Sequence, residues 1–168
     1  MELEITKAKH EDLPEILKIY ECARSFMRAT GNAKQWENNF PPESMLKEDI
    51  KAGNLYVVKE KDKIHAVFAF ILGADATYSY IEQGKWLSDT EYGTLHRVAS
   101  DGTIHGIFTQ IVEFCSKTIN HLRIDTHEDN KVMQHLICKN GFERCGIIYI
   151  ADGTPRIAYE KISCEKMK

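Results

Sequence analysis

Apolar and polar residues change rhythm several times along the chain, and each rhythm predicts an element. Leu3–Lys9 alternates around Ile5 as a short strand. After the turn-like HEDLP, Ile16, Leu17, Tyr20 and Ala23 recur at helical spacing, and Pro14 suits the first turn of that helix. The helix fades near Gly31, GNAKQWENNFPP reads as loop, and Ser44 can cap a short helix through Asp49. LYVVKE from Leu55 and IHAVFAFILG from Ile64, parted by the charged turn KDK, predict a hairpin. The stretch Ala74–Tyr92 is rich in tyrosine, contains Trp86 and has no clean period, which predicts a functional surface loop.

The second half is more regular. TLHRVAS predicts a strand, and Gly106 to Lys117 carries Ile107, Ile111, Val112 and Cys115 at helical intervals. HLRIDTH is another strand. Asp129 or Thr126 can cap the next helix, whose apolar positions are Val132, Met133, Leu136 and Ile137, and Gly141 ends it in a left-handed conformation. CGIIYI and RIAYEKI, joined by ADGTP, close as a hairpin. Together these elements predict one α+β domain over residues 1–168, with a mixed, mostly antiparallel sheet flanked by helices.

Bulk properties narrow the function classes. A chain of 168 residues with 43% hydrophobic and 28% charged residues suits one folded domain. A net charge of -3 supplies no overall basic field for nucleic acid, so small molecules are the expected partners. Five cysteines, at 22, 115, 138, 145 and 164, form no CxxC pair and cannot all pair with one another. That suits a reducing cytosol. With no signal-like segment and no run near the ~18 apolar residues of a membrane span, a cytoplasmic protein without membrane contact is expected. His105, His127 and His135 lack ligand spacing to nearby cysteines, so no metal is expected.

One junction suggests chemistry. In DGTIHGIF, Gly102 and Gly106 let backbone N–H groups converge at the mouth of the following helix, where the helix dipole also favours a phosphate or pyrophosphate. Two glycines before a helix also make an ordinary tight turn, and neither GxGxxG nor GxxxxGK is present. A nicotinamide-type dinucleotide enzyme is disfavoured, because the early βαβ position and the acidic ribose partner are missing.

In element order, and in HRVASDGTIHGIF and RIDTHEDNKVMQHLICKNGF with its N-G-F ending, the chain resembles the GNAT acetyltransferases along nearly its whole length, a bacterial-type subgroup in particular. GNAKQW, YSYIEQGKW and CGIIYIADGTPRIAYEK strengthen the likeness. The resemblance implies acetyl-CoA as donor. It implies that main-chain groups of Val98 and Ser100 pair with the pantetheine arm and that amides from His105 through Gly106, Ile107 and Phe108 to Thr109 cradle the pyrophosphate. The family loop Gln/Arg-x-x-Gly-x-Gly/Ala falls on Thr103, Gly106 and Phe108, so only the middle glycine is kept. Phe108 either intrudes on the phosphate or turns into the core. Asn130 matches a cofactor-contacting asparagine of the family, or else satisfies local backbone at a helix start.

Acetyl transfer to an amine needs a neutral nucleophile, whereas a lysine-like amine has a pKa near ~10.4, so a base is expected. A developing oxyanion needs a donor, and the departing thiolate needs a proton. In many members of the family a tyrosine supplies that proton; here the matching position is Ile137, which cannot. His96 shares a face with Val98 by alternation and is the first candidate base, against a structural role as a buried histidine bonded to a loop. Glu91 and Tyr92 are placed to reach the same cleft. Asn32, Gln35 and Trp36, with Tyr78, Tyr80 and Trp86, either line an acceptor pocket or form a small core under long loops. Arg123 and Asp125 read as a structural ion pair. The expected activity is acetylation of a primary amine on a small molecule or peptide; the competing class is a sensor of the same shape that binds acetyl-CoA without catalysis. A homodimer is left open.

Overall fold

In a computed structural model, which describes residues 2–163, the order is β1 (Leu3–Lys7), α1 (Leu13–Ala29), α2 (Glu43–Lys51), β2 (Leu55–Glu60), β3 (Lys63–Leu72), β4 (Gly93–Ser100), α3 (Ile107–Thr118), β5 (His121–Thr126), α4 (Lys131–Lys139), β6 (Glu143–Tyr149) and β7 (Pro155–Ile162). One seven-stranded sheet runs β1-β2-β3-β4-β5-β7-β6, and only the β4–β5 pair is parallel. The fold is α+β, a mixed sheet flanked by helices.

Period-2 side-chain alternation divides the sheet into two apolar faces. Val57, Val67, Ala69 and Ala99 pack under α1 through Ile16, Ile19, Tyr20 and Ala23, and under Leu46 of α2. Val58, Ala66, Phe68, Leu95, Leu122 and Ile124 point the other way, onto Ile107, Phe108, Ile111, Val112 and Cys115 of α3 and Ile137 of α4. Each fully buried aliphatic side chain contributes about 1.5–3 kcal/mol by leaving water.

Several local expectations change. Pro42, not Ser44, precedes α2 in extended conformation, since Ser44 already lies inside the first turn, and the helix continues past Asp49 to Lys51. Asn130, rather than Asp129 or Thr126, caps α4: its side-chain oxygen accepts the Met133 N–H at 3.0 Å, while Thr126 ends β5. Arg123 does not pair with Asp125. It bonds Glu160 at 3.1 Å and lies 3.9 Å from the ring centroids of both Trp86 and Tyr92. Cys164 lies outside the described residues, and Cys22, Cys115, Cys138 and Cys145 are free thiols.

The Ala74–Tyr92 segment is less a surface loop than expected. Tyr78 and Tyr92 are buried with Ile148 and Ala158 in a third apolar cluster, with Trp86 packed against it. Backbone bonds between Glu82 and Ile147, of 3.0 and 2.8 Å, tie the segment to β6. At Gly84 a Cβ would stand 1.8 Å from the Cys145 carbonyl oxygen, so only glycine permits that approach.

A β-bulge in β4 shapes the centre of the sheet. Val67 faces Ala99 but Ala69 faces His96, so Arg97 and Val98 together oppose one residue, and Arg97 adopts a φ of 53°. Pairing of β4 with β5 covers only Gly93–Leu95 against Leu122–Ile124. Beyond Leu95 the two strands part. Both flanking helices brace the bulge: the Tyr20 hydroxyl donates to the Arg97 carbonyl at 2.7 Å, and the Arg97 guanidinium holds Asp49 of α2 with two bonds of 3.0 Å. The bulge also cancels the simple alternation that put His96 and Val98 on one face.

Candidate active site

Where β4 and β5 part, a cavity of about 780 Å³ opens through the sheet. On one side its wall is apolar, from Phe26, Met27, Trp36, Phe40 and Met45; on the other, Val132, Met133 and Leu136 of α4 close it. Between them lie His96 to Ser100 of β4 and Asp125 and Thr126 of β5. Asp101 N–H bonds the His65 carbonyl on β3 at 3.0 Å. Period-2 alternation therefore turns the N–H groups of Val98 and Ser100 toward the unpaired side, where an extended ligand can take the place of a strand.

His96 stands at the cavity wall with Nε2 2.8 Å from Asp75 Oδ2. The other oxygen of Asp75 accepts the Thr77 N–H at 2.8 Å and the Thr77 hydroxyl at 2.6 Å, and the Asp75 N–H donates to the Tyr92 hydroxyl at 2.8 Å. The hydrogen bond to His96, helped by those from Thr77, holds the Asp75 carboxyl well below its usual range despite partial burial. An ionised Asp75 can only accept, so Nε2 carries the proton and Nδ1 is left as the basic nitrogen.

A second carboxylate, Asp125, accepts the Tyr78 hydroxyl at 2.6 Å. Burial, reinforced by Asp125, pushes that phenol well above its usual pKa and keeps it a neutral donor. Gln35 joins the 30–42 loop to β5 and α4: its side-chain oxygen accepts from Asn32 and Asn130, each at 2.9 Å. Asn130 lines the cavity, but both ends of its amide are engaged, one with Gln35 and one in the α4 cap.

After Ser100 the chain turns on Asp101, whose Oδ1 accepts both the N–H and the hydroxyl of Thr103, while Oδ2 bonds His65. The N–H and hydroxyl of Thr103, which stands where the family has its basic residue, are thus spent within the loop. Gly106, at φ 78°, starts α3 with no side-chain cap, and a Cβ there would meet nothing within 4 Å. α3 thus begins without a side-chain cap, at the positive end of a twelve-residue helix. Phe108 is 4% exposed and packs in the main core.

Of the residues singled out in the sequence, His96, Val98, Ser100, Asn130, Gln35 and Trp36 meet around the cavity. Others do not. Glu91 is exposed away from its wall, and Tyr92 is buried with its hydroxyl on Asp75. Thr103, His105, Gly106, Ile107, Phe108 and Thr109 lie beyond the cavity in the loop and first turn of α3; of these, Ile107 and Phe108 are buried. Asn32 is buried behind Gln35. Tyr78 and Trp86 belong to the third cluster and Tyr80 is 61% exposed, so the loop's aromatics build a small core, while its Asp75 and Thr77 reach the cavity wall. Sequence reasoning missed Asp75 and Arg156, and gave Asp125, which lines the cavity, to a structural ion pair. The Asp75-x-Thr77 spacing, which favours a side-chain-to-backbone turn, was the one local signal for the first.

No family model matches the chain, and no curated protein does. Solved structures do. A GNAT-family acetyltransferase from Streptococcus agalactiae 2603 is 31% identical, with a TM-score of 0.88 over 97% of this chain and 96% of that one. A GNAT-family acetyltransferase from Listeria monocytogenes 4b F2365 has 16% identity and a TM-score of 0.72 over 97% and 96% of the two chains. The ribosomal-protein-S18-alanine N-acetyltransferase of Escherichia coli has 14% identity and a TM-score of 0.59 over 99% of each.

Proposed function

Because the chain belongs to the GNAT acetyltransferase family, we propose that it moves an acetyl group from acetyl-CoA to a primary amine of a small molecule or peptide. The observation that carries this reading is the parted β4–β5 edge, with the His96–Asp75 pair on its wall and the uncapped start of α3 just beyond it.

The residues fit the donor substrate. An extended pantetheine arm suits the unpaired edge at Val98 and Ser100, and a pyrophosphate suits the uncapped helix start from Gly106 onward, with Phe108 turned into the core. Acetyl-CoA brings a thioester whose carbonyl carbon bonds the amine nitrogen as the C–S bond breaks. His96, oriented by Asp75, accepts the proton released by the amine at Nδ1. Ile137 is buried and donates nothing, so the proton for the departing thiolate comes from water or from the imidazolium just formed. The apolar walls limit bulk water in the cavity and so strengthen these polar contacts.

A panel of amines supplied with acetyl-CoA and followed by release of free thiol tests the reading. At least one amine should give turnover above the rate without enzyme. Tight acetyl-CoA binding with no turnover on any amine would instead favour the sensor.

A further inference from the structure

The cavity holds a buried charge without a counter-ion. Arg156, the second residue of β7, is 5% exposed and lines the cavity wall. The guanidiniums of Arg97 and Arg123 are paired with Asp49 and Glu160. Arg156 has no carboxylate partner among the described residues. It donates instead to neutral oxygens: Thr154 Oγ1 at 3.1 Å, the Pro155 carbonyl at 2.8 Å and, at 3.4 Å, the Gln35 carbonyl. Those bonds leave part of the planar fork unused. Arginine is seldom buried unless paired, because desolvating its charge without an opposite one is costly. Asp125 and Asp152 attract it only from beyond ion-pair distance, and burial dominates its electrostatics.

Strand register places Arg156 relative to the proposed base. Leu95 is the last β4 residue aligned with β5, opposite Ile124, so His96 and Asp125 are the first residues across the gap where the strands part; Asp125 faces Ala158, and Arg156 is two residues from Ala158 on the same sheet face. The three residues therefore lie on neighbouring strands in the order His96, Asp125, Arg156, all on the cavity wall. One end accepts a proton, the middle attracts an ammonium, and the far end demands an anion.

We propose, resting on the acetyltransferase reading, that the acceptor is an amine that also carries a carboxylate, of the α-amino acid type. Arg156 holds the carboxylate through its free N–H groups, while the amine lies toward Asp125 and His96. The apolar wall of Phe26, Trp36, Phe40 and Met45 receives the remainder of the acceptor. This excludes amines without an acid group as the preferred substrates. The recognition belongs to Arg156 as a positioning residue, since it touches the acceptor away from the reacting nitrogen.

The test pairs each of a set of α-amino acids, spanning apolar, polar and charged side chains, with its decarboxylated amine. Thiol release is measured for both members with the wild type, Arg156→Lys and Arg156→Gln. At least one amino acid should exceed its decarboxylated partner by ~10-fold or more in kcat/KM, and Arg156→Gln should remove most of that ratio through KM, with Arg156→Lys intermediate. Because Arg156 also bonds backbone, melting temperatures accompany the kinetics; a variant that melts earlier but keeps the ratio overturns the proposal. So does a wild type that favours the decarboxylated member, or neither, throughout. If no amine reacts, the acetyltransferase reading fails separately, and N-acetyl amino acids serve as binding probes. Stabilisation of the wild type, but not of Arg156→Gln, would still support the carboxylate site; no stabilisation by any of them would end it.

Discussion

Gly106 and Phe108 stand two residues apart and answer to different constraints. Gly106 has a left-handed φ and open space where its Cβ would be, so Gly106→Val should strain the turn and fill the room proposed for pyrophosphate. Weaker acetyl-CoA binding by calorimetry is the expected outcome; unchanged affinity would move the phosphate site elsewhere. Phe108 faces inward, and Phe108→Ala should cost about 3–5 kcal/mol in denaturant unfolding, the range for truncating a buried aromatic. Reading GIF alone could not decide between intrusion and burial, because the direction of one side chain depends on where the loop leaves the sheet. Asp75 illustrates the same limit: its sequence neighbours suggest a turn, but its partner His96 lies 21 residues away.

Asp75 also fixes a pH dependence. Its folded pKa is depressed, so the ionised form stabilises the fold; that contribution is complete above the ordinary aspartate pKa of ~3.9 and is lost as pH falls through the lower folded value. The melting-temperature gap between wild type and Asp75→Asn should be widest near neutrality and shrink in acid below about pH 4. A gap that stays constant from neutral to strongly acidic solution would mean that the carboxylate charge is not what stabilises this turn.

At the scale of elements, hydrophobic rhythm with cap and turn residues located the strands and α-helices of the described residues, since burial on a face imposes the period directly. It missed the bulge in β4. HRVAS alternates acceptably as an unbroken strand, and the partners that hold Arg97 at the kink, Tyr20 and Asp49, come from two helices far upstream. Tyr20→Phe leaves the Arg97 carbonyl without that donor in a buried setting, which should cost about 1–3 kcal/mol by denaturant unfolding. A loss near zero would mean that the bulge is self-supporting. The caps of α2 and α4 were also misplaced: α2 starts at Pro42 with no side-chain cap, and at α4 several neighbouring polar residues compete, of which Asn130 is held by Gln35 as well as by the helix.

Over the whole molecule, the order of elements gave an α+β domain with one mixed sheet, and the likeness of HRVASDGTIHGIF and RIDTHEDNKVMQHLICKNGF to one family gave the fold. The site was legible only in part. Val98 and Ser100 followed from the family resemblance, and Gln35 and Trp36 from the amide and aromatic content of their loop, whereas Asp75, Asp125 and Arg156 reach the cavity from separate parts of the chain. The tyrosine-rich loop misled because buried aromatics under a long loop and aromatics lining a pocket have the same composition. The most direct test of the account is thiol release from acetyl-CoA by wild type and His96→Gln, measured side by side across pH with an accepted amine. The account predicts turnover by the wild type and a fall of ~10²-fold or more in kcat/KM for a stably folded His96→Gln, with acetyl-CoA affinity retained and the imidazole limb of the pH profile gone. Full turnover by His96→Gln with the same pH profile would contradict it.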